Sequence, residues 1–175
     1  MQPTTDISKK IKTILKGQIL LNKGDIATKT YYVHKGLLRS YTIDEKGKEH
    51  IFMFAPEDWI MTDMVSQTYQ TPSDLFIDAL EDTEVEILDR EIFFEQSNLE
   101  LNSTSSEVQK LRKRAATLQK RVLLLMSATA KERYEDFIKT YPNIVQRVPQ
   151  KMIASYLGIT PEALSKIRGD IVRKK

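Results

Sequence analysis

The chain has 175 residues, 41% hydrophobic and 29% charged, the balance of an ordinary globular protein rather than a disordered or fibrous one. No run approaches the roughly eighteen apolar residues of a membrane span, and the start, MQPTTDISKKIKT, has neither the apolar stretch nor the cleavage site of a secretory signal. The expected compartment is therefore the cytoplasm, and the absence of cysteine excludes disulfides, a thiol nucleophile, a cysteine-held iron–sulfur cluster and a thiolate zinc site.

From Gly17 to Asp89 the pattern is one of short apolar or alternating runs cut by turn signals. Gln18–Leu21 ends at Asn22-Lys23-Gly24-Asp25, Tyr31–His34 at Lys35-Gly36, and Leu37–Ile43 at Asp44-Glu45-Lys46-Gly47. Glu49–Phe54 ends at Ala55-Pro56, and Leu75–Leu80 and Glu84–Leu88 supply two further runs. Strands at this spacing predict an antiparallel β-roll or jelly roll, with Gly17, Gly24, Gly36 and Gly47 where tight turns need positive φ. Inside it Trp59, Met61, Met64 and Phe76 would line an effector pocket, or simply fill core.

Beyond about Leu101 the period changes. Val108, Leu111, Ala115, Leu118, Val122 and Leu125 recur at intervals of 3, 4, 3, 4 and 3 on an otherwise polar helix. That spacing is an a/d seam, suited to a dimerisation helix, or to a helix packed on its own roll. A second helical stretch covers about Thr129–Thr140, with Tyr134, Phe137 and Ile138 on one face, and Tyr141-Pro142-Asn143 breaks it. The charge changes with the period: 11 Lys+Arg against 18 Asp+Glu up to Ser106, then 16 against 6 from Glu107 onward. A basic second half points to a polyanionic partner, or to a solvated surface of mixed helices.

The most informative segment is Val148–Arg168, VPQKMIASYLGITPEALSKIR. Pro149 opens a helix with Ile153, Ala154 and Leu157 inward, and Gly158 turns the chain. Thr160 then caps a second helix, with Pro161 at its first position and Leu164 and Ile167 inward. Small Ala154, turning Gly158 and apolar Leu164 fall at the spacing of a helix-turn-helix, though an ordinary helical hairpin with a charged surface would read similarly. The outer face carries Thr160, Glu162, Ser165, Lys166 and Arg168, donors and acceptors able to read base edges or hold phosphate.

A β-roll, a long seam helix and a C-terminal helix-turn-helix, in that order, resemble the Crp/Fnr (cyclic AMP receptor protein) family of bacterial transcription regulators. The residues that carry the likeness are Lys16–Leu20, Asn22–Asp25, Tyr31–Val33, Lys35–Arg39, Glu132-Arg133-Tyr134, Val148-Pro149-Gln150 and Ile153–Glu162. The resemblance implies an α+β fold in three parts. These are a cyclic-nucleotide-binding-like roll at residues 1–100, a dimerisation helix at 101–126 and a DNA-binding helix-turn-helix domain at 127–175. It implies that Glu162, Ser165 and Lys166 face base edges and that Gln150 and Lys151 touch phosphate. The partners implied are a second copy of the chain, palindromic double-stranded DNA, RNA polymerase and a small effector, with no membrane. Lys166 stands where the family usually has arginine, which keeps the charge and loses the bidentate fork.

The departures are equally informative. Cyclic-nucleotide binders of the family carry a Gly-Glu pair and a later arginine in the roll. Here those places read Asp58–Met64 and Pro72-Ser73-Asp74-Leu75-Phe76, with neither. Cyclic AMP is therefore not expected to bind in the usual way. Haem would have to use His34 or His50, neither of which comes with a recognisable ligand partner. The chain stops at Lys175, which leaves no room for the hairpin wing of many relatives and predicts salt-sensitive DNA affinity. A cupin-like metal enzyme would need a His-x-His cluster, whereas the two histidines are sixteen positions apart, and no Gly-x-Ser-x-Gly elbow exists. No enzyme activity, metal or cofactor is expected; a dimeric small-molecule-binding module without DNA is the alternative from another class.

Overall fold

The computed structural model describes residues 11–89 and 106–173. The expected boundary at residue 100 lies outside the described residues, as does the side chain of Val108. Eight strands come first: β1 (Ile11–Ile14), β2 (Ile19–Leu21), β3 (Lys29–Lys35), β4 (Leu38–Ile43), β5 (Glu49–Ala55), β6 (Ile60–Met61), β7 (Phe76–Ala79) and β8 (Thr83–Asp89). A short helix α1 (Met64–Tyr69) stands between β6 and β7. Among the described residues four helices follow: α2 (Ser106–Ser127), α3 (Ala130–Thr140), α4 (Gln150–Leu157) and α5 (Pro161–Arg173).

The strands form two four-stranded antiparallel sheets, ordered β1-β8-β3-β6 and β2-β7-β4-β5. Their inner faces meet through Val33, Leu37, Leu38, Met53, Met61, Ile77 and Val85, all buried. This is the expected roll, and all four turn glycines have positive φ. Gly36 is bound by space as well as by φ. A Cβ there would lie 2.7 Å from Thr83 Cα and 2.8 Å from the Asp82 carbonyl, so no side chain fits.

Three elements were not expected. β1 shows only Ile14 to the core and alternates weakly, and β6 is two residues long. α1 buries Ser66 and Gln67 rather than apolar side chains. Its start is fixed by Asp63, whose carboxylate accepts from the Val65 and Ser66 amides at 3.0 and 3.1 Å and from the Ser73 hydroxyl at 2.7 Å.

One continuous set of buried side chains runs from the roll into the helices. Phe54 of β5 lies 6.2, 6.1 and 5.7 Å, ring centre to ring centre, from Phe137, Tyr141 and Tyr156, and Trp59 lies 5.3 Å from Tyr141. Polar contacts fix the register. The Ser155 hydroxyl accepts from the Ile51 amide and donates to the Glu49 carbonyl, each at 3.0 Å, so α4 lies along β5. Arg121 of α2 donates to the carbonyls of Phe52, Ile51 and Tyr156 at 2.7, 3.1 and 2.9 Å. Inside the roll Arg39 holds Asp78 bidentately at 2.8 and 2.9 Å and meets Glu49 at 2.6 Å.

Arg147, leading into α4, pairs with both Glu57 and Glu81. Partial burial opposes ionisation of Glu57, but bonds from Arg147 and the Gly36 amide outweigh it and hold its carboxyl below the ordinary value. The stabilisation from Glu57 is complete above the usual glutamate value of about 4.3 and is lost as pH falls through the lower folded value. Thermal melting followed from pH 6 down to about pH 3 is expected to fall for the parent and to fall less steeply for Arg147→Gln. Equal slopes would show that the pair contributes nothing, the outcome for most exposed ion pairs.

Candidate nucleic-acid interface

The helix-turn-helix is built by local chemistry at each junction. Thr129 and Glu132 form a reciprocal capping box at the start of α3. Pro149 precedes α4, and Gly158 ends it in the left-handed conformation at φ 66°. The Ile159 amide donates back to the Ala154 carbonyl at 3.0 Å, the long closing bond of a glycine-ended helix. Thr160 then caps α5, its hydroxyl accepting from the Ala163 amide at 3.2 Å, with Pro161 as the first helical residue. Ile153, Ala154, Leu157 and Leu164 are buried as expected, and Ile167 packs against the same core.

With that inner face fixed, Gln150, Lys151, Thr160, Glu162, Ser165 and Lys166 are exposed. Glu162, Ser165 and Lys166 share one side of α5, and the Ser165 hydroxyl reaches Gln150 Oε1 at 3.4 Å, so both helices present one continuous polar strip. Backbone and hydroxyl hydrogen bonds at the start of α5 keep the Glu162 carboxyl below its ordinary value, so it is an acceptor at neutral pH. Arg168 departs from the expectation. At about 100° per residue it lies on the flank of α5 rather than with Glu162 and Lys166, and it is half-buried.

The seam on α2 is split. Ala115, Val122 and Leu125 are exposed and Leu111 half-exposed, whereas Leu118 packs against the protein's own core. The inward side of α2 is carried by Arg114, Thr117, Arg121 and Leu124; the two arginines reach carbonyls of the roll, and Leu124 faces α3 and α4. Apolar periodicity could not find that side, because two of its anchors are arginines. Their recurrence seven residues apart was the available signal. Arg114 is buried and donates to the Thr62 carbonyl at 2.5 Å, and desolvation pushes its pKa down to about 10 against the pull of Asp63.

The four pocket candidates are not brought together. Met61 is fully buried core, Trp59 packs on Tyr141, and Phe76 stacks on Tyr41 with ring centres 5.3 Å apart. Met64 lines a cavity of about 340 Å³ with Phe52, Leu75, Arg114 and Leu118, and Trp59 lines a different one, of about 540 Å³, with Lys113, Tyr141 and Ile144. Apolar residue type does not tell a pocket wall from filling. Among the described residues no group of three His, Asp or Glu could hold a metal. His34 lies 3.2 Å from Glu86 and His50 lies 2.8 Å from Asp44. No described helix is long and apolar enough to cross a membrane.

Comparison with known proteins agrees with this architecture. Residues 11–98 match the cyclic nucleotide-binding domain family. The chain is 32% identical to the anaerobic regulatory protein of Aggregatibacter actinomycetemcomitans over 94% of its own length and 67% of that protein's. It is 31% identical to the fumarate and nitrate reduction regulatory protein of Escherichia coli, covering 94% of itself and 69% of the relative. Among solved structures, FixK2 from Bradyrhizobium japonicum superposes with a TM-score of 0.77 at 19% identity, over 94% of this chain and 85% of that one. The CRP/FNR-family regulator TTHA1359 from Thermus thermophilus gives 0.69 at 16%, over 94% and 87%. These relatives are regulators rather than enzymes, and the chain belongs to the Crp/Fnr family of DNA-binding transcription regulators.

Proposed function

We propose that two copies of this chain pair through α2 and bind a roughly palindromic duplex, one α5 in each of two successive major grooves. The observation that carries the reading is the exposed strip Gln150, Glu162, Ser165 and Lys166 on helices anchored to the roll through Ser155 and Arg121. In this division of labour residues 1–100 form the sensor part, 101–126 the dimerisation helix and 127–175 the DNA-binding part. Gln150 and Lys151 hold phosphate, Glu162 and Lys166 read bases, and Arg168 contacts phosphate from the flank. The dimer works in the cytoplasm beside promoters, where it meets RNA polymerase.

The roll does not take cyclic AMP in the usual way. Asp63 Oδ1 already accepts from the Val65 and Ser66 amides at the head of α1, the place where a phosphate would need free N–H groups. An anion there would meet the carboxylates of Asp63 and Asp74 against the single cation of the lining, Arg114, which Asp63 already attracts.

Selection from a random duplex pool by purified, effector-free protein tests the reading. Wild type is expected to enrich a palindrome with half-sites about one helical turn apart. Glu162→Ala is expected to relax preference at one base pair per half-site by about 1–3 kcal/mol while leaving non-specific affinity nearly unchanged. An unchanged preference in that variant would remove Glu162 from base reading, and no enrichment by wild type would remove effector-free binding.

A further inference from the structure

A second cavity, of about 280 Å³, lies outside the roll, between α2, α3 and α4. Its rim carries Lys113, Lys120, Arg121 and Arg133 against one carboxylate, Asp136, which pairs with Lys120. Arg121 spends its two terminal nitrogens on backbone carbonyls, and burial lowers its pKa. Arg133 forms no ion pair among the described residues. The Nε atoms of Arg121 and Arg133 are both buried without a hydrogen-bond partner. The walls are apolar, from Leu124, Phe137, Tyr156 and Leu157. A site with surplus cations at its rim and hydrocarbon walls suits an anion with an apolar body.

We propose that this cavity binds a small amphipathic carboxylate, with Arg133 holding the carboxylate and Leu124 and Leu157 covering the chain. At roughly 30 Å³ per water-sized group, the volume takes about nine such groups, close to the eight carbons and two oxygens of an eight-carbon acid. Most of the cavity faces away from a dimer: at about 100° per residue, Lys113, Lys120 and Leu124 lie roughly half a turn of α2 away from Ala115 and Val122, and of the seam residues Leu125 alone also lines it. It also adjoins the turn of the helix-turn-helix. A Cβ on Gly158 would lie 3.4 Å from Leu125 Cδ2 and 3.8 Å from Arg133 Nη1. An occupant therefore ties α2 and α3 together directly behind the turn that aims α5. Its effect on DNA binding rests on the regulator reading above; its binding to the chain does not.

Titration calorimetry on the full chain, with sodium octanoate and 1-octanol as probes, separates the two. Octanoate is expected to bind once per chain, at least about tenfold more tightly than octanol, and to weaken as salt rises while octanol does not. Arg133→Gln should lose about tenfold for octanoate and nothing for octanol. Lys120→Gln, at an exposed position, gives a second reading at the same rim should Arg133→Gln fail to fold. Equal affinity for the acid and the alcohol, or an Arg133→Gln chain that folds and binds octanoate unchanged, would overturn the proposal. So would a variant that loses DNA affinity but keeps octanoate, since the cations would then serve DNA phosphate. Failure of the duplex selection leaves the octanoate titration unaffected.

Discussion

Phe54→Ala is expected to lower the stability of the whole chain by about 3–5 kcal/mol and to do so in a single unfolding transition. Phe54 is fully buried on β5, and its ring meets Phe137 of α3, Tyr141 at the end of that helix and Tyr156 of α4. Truncation leaves a void walled half by the roll and half by the helices. Neither side can collapse into it without giving up the Ser155 and Arg121 hydrogen bonds that hold α4 on β5. For a chain of this size the melting point should fall by roughly 6–20 °C. Near-ultraviolet dichroism of the roll aromatics and far-ultraviolet helix signal should be lost together. Two separated transitions would show that the roll and the helix-turn-helix fold independently and that the aromatic cluster is only a contact between finished domains. A single transition means that the aim of α5 is set by the same core that stabilises the roll.

That shared core is what the amino-acid sequence conceals. The strands were legible because each is short and each turn needs a residue that accepts positive φ, so Gly24, Gly36 and Gly47 mark their ends. The helix-turn-helix was legible because its signals are local: a capping threonine, a proline at the first helical position and a glycine in the left-handed region lie within four residues of one another. The docking of one part on the other has no local signal. Ser155 meets Glu49 across 106 positions and Arg121 meets Phe52 across 69. Both are polar residues on helices whose apolar spacing points elsewhere. α1 was missed for a similar reason. It buries Ser66 and Gln67, so a helix held by Asp63 and by hydrogen bonds to Ala27 and Thr30 has no apolar stripe to reveal it. Arg168 was counted by type with the outer face of the second helix, for bases or phosphate alike. Only the angle set by buried Leu164 moves it to the flank.

Val122→Glu is expected to convert the protein from dimer to monomer without unfolding it. On α2 Val122, Leu123, Leu125 and Met126 are 54%, 55%, 40% and 79% exposed, an apolar patch on an otherwise polar helix. A two-fold axis along this helix brings each seam residue beside its own copy, so one substitution places two carboxylates face to face where two valines met. The chain itself should tolerate the change within about 0.5 kcal/mol, because Val122 touches little of its own core. Leu118→Glu would not make this test cleanly. Leu118 is half-buried against the roll, and a carboxylate there would damage the fold and the dimer together. Loss of pairing converts two linked half-site contacts into one, so affinity for a palindromic duplex should fall by about 10²–10⁴-fold. Affinity for a single half-site should hold. A Val122→Glu chain that still sediments as a dimer would place the interface elsewhere. A monomer that keeps full affinity for the palindrome would show that one helix-turn-helix is sufficient. The split between half-site and palindrome affinities therefore measures what α2 contributes to recognition, separately from the bases that Glu162 and Lys166 read.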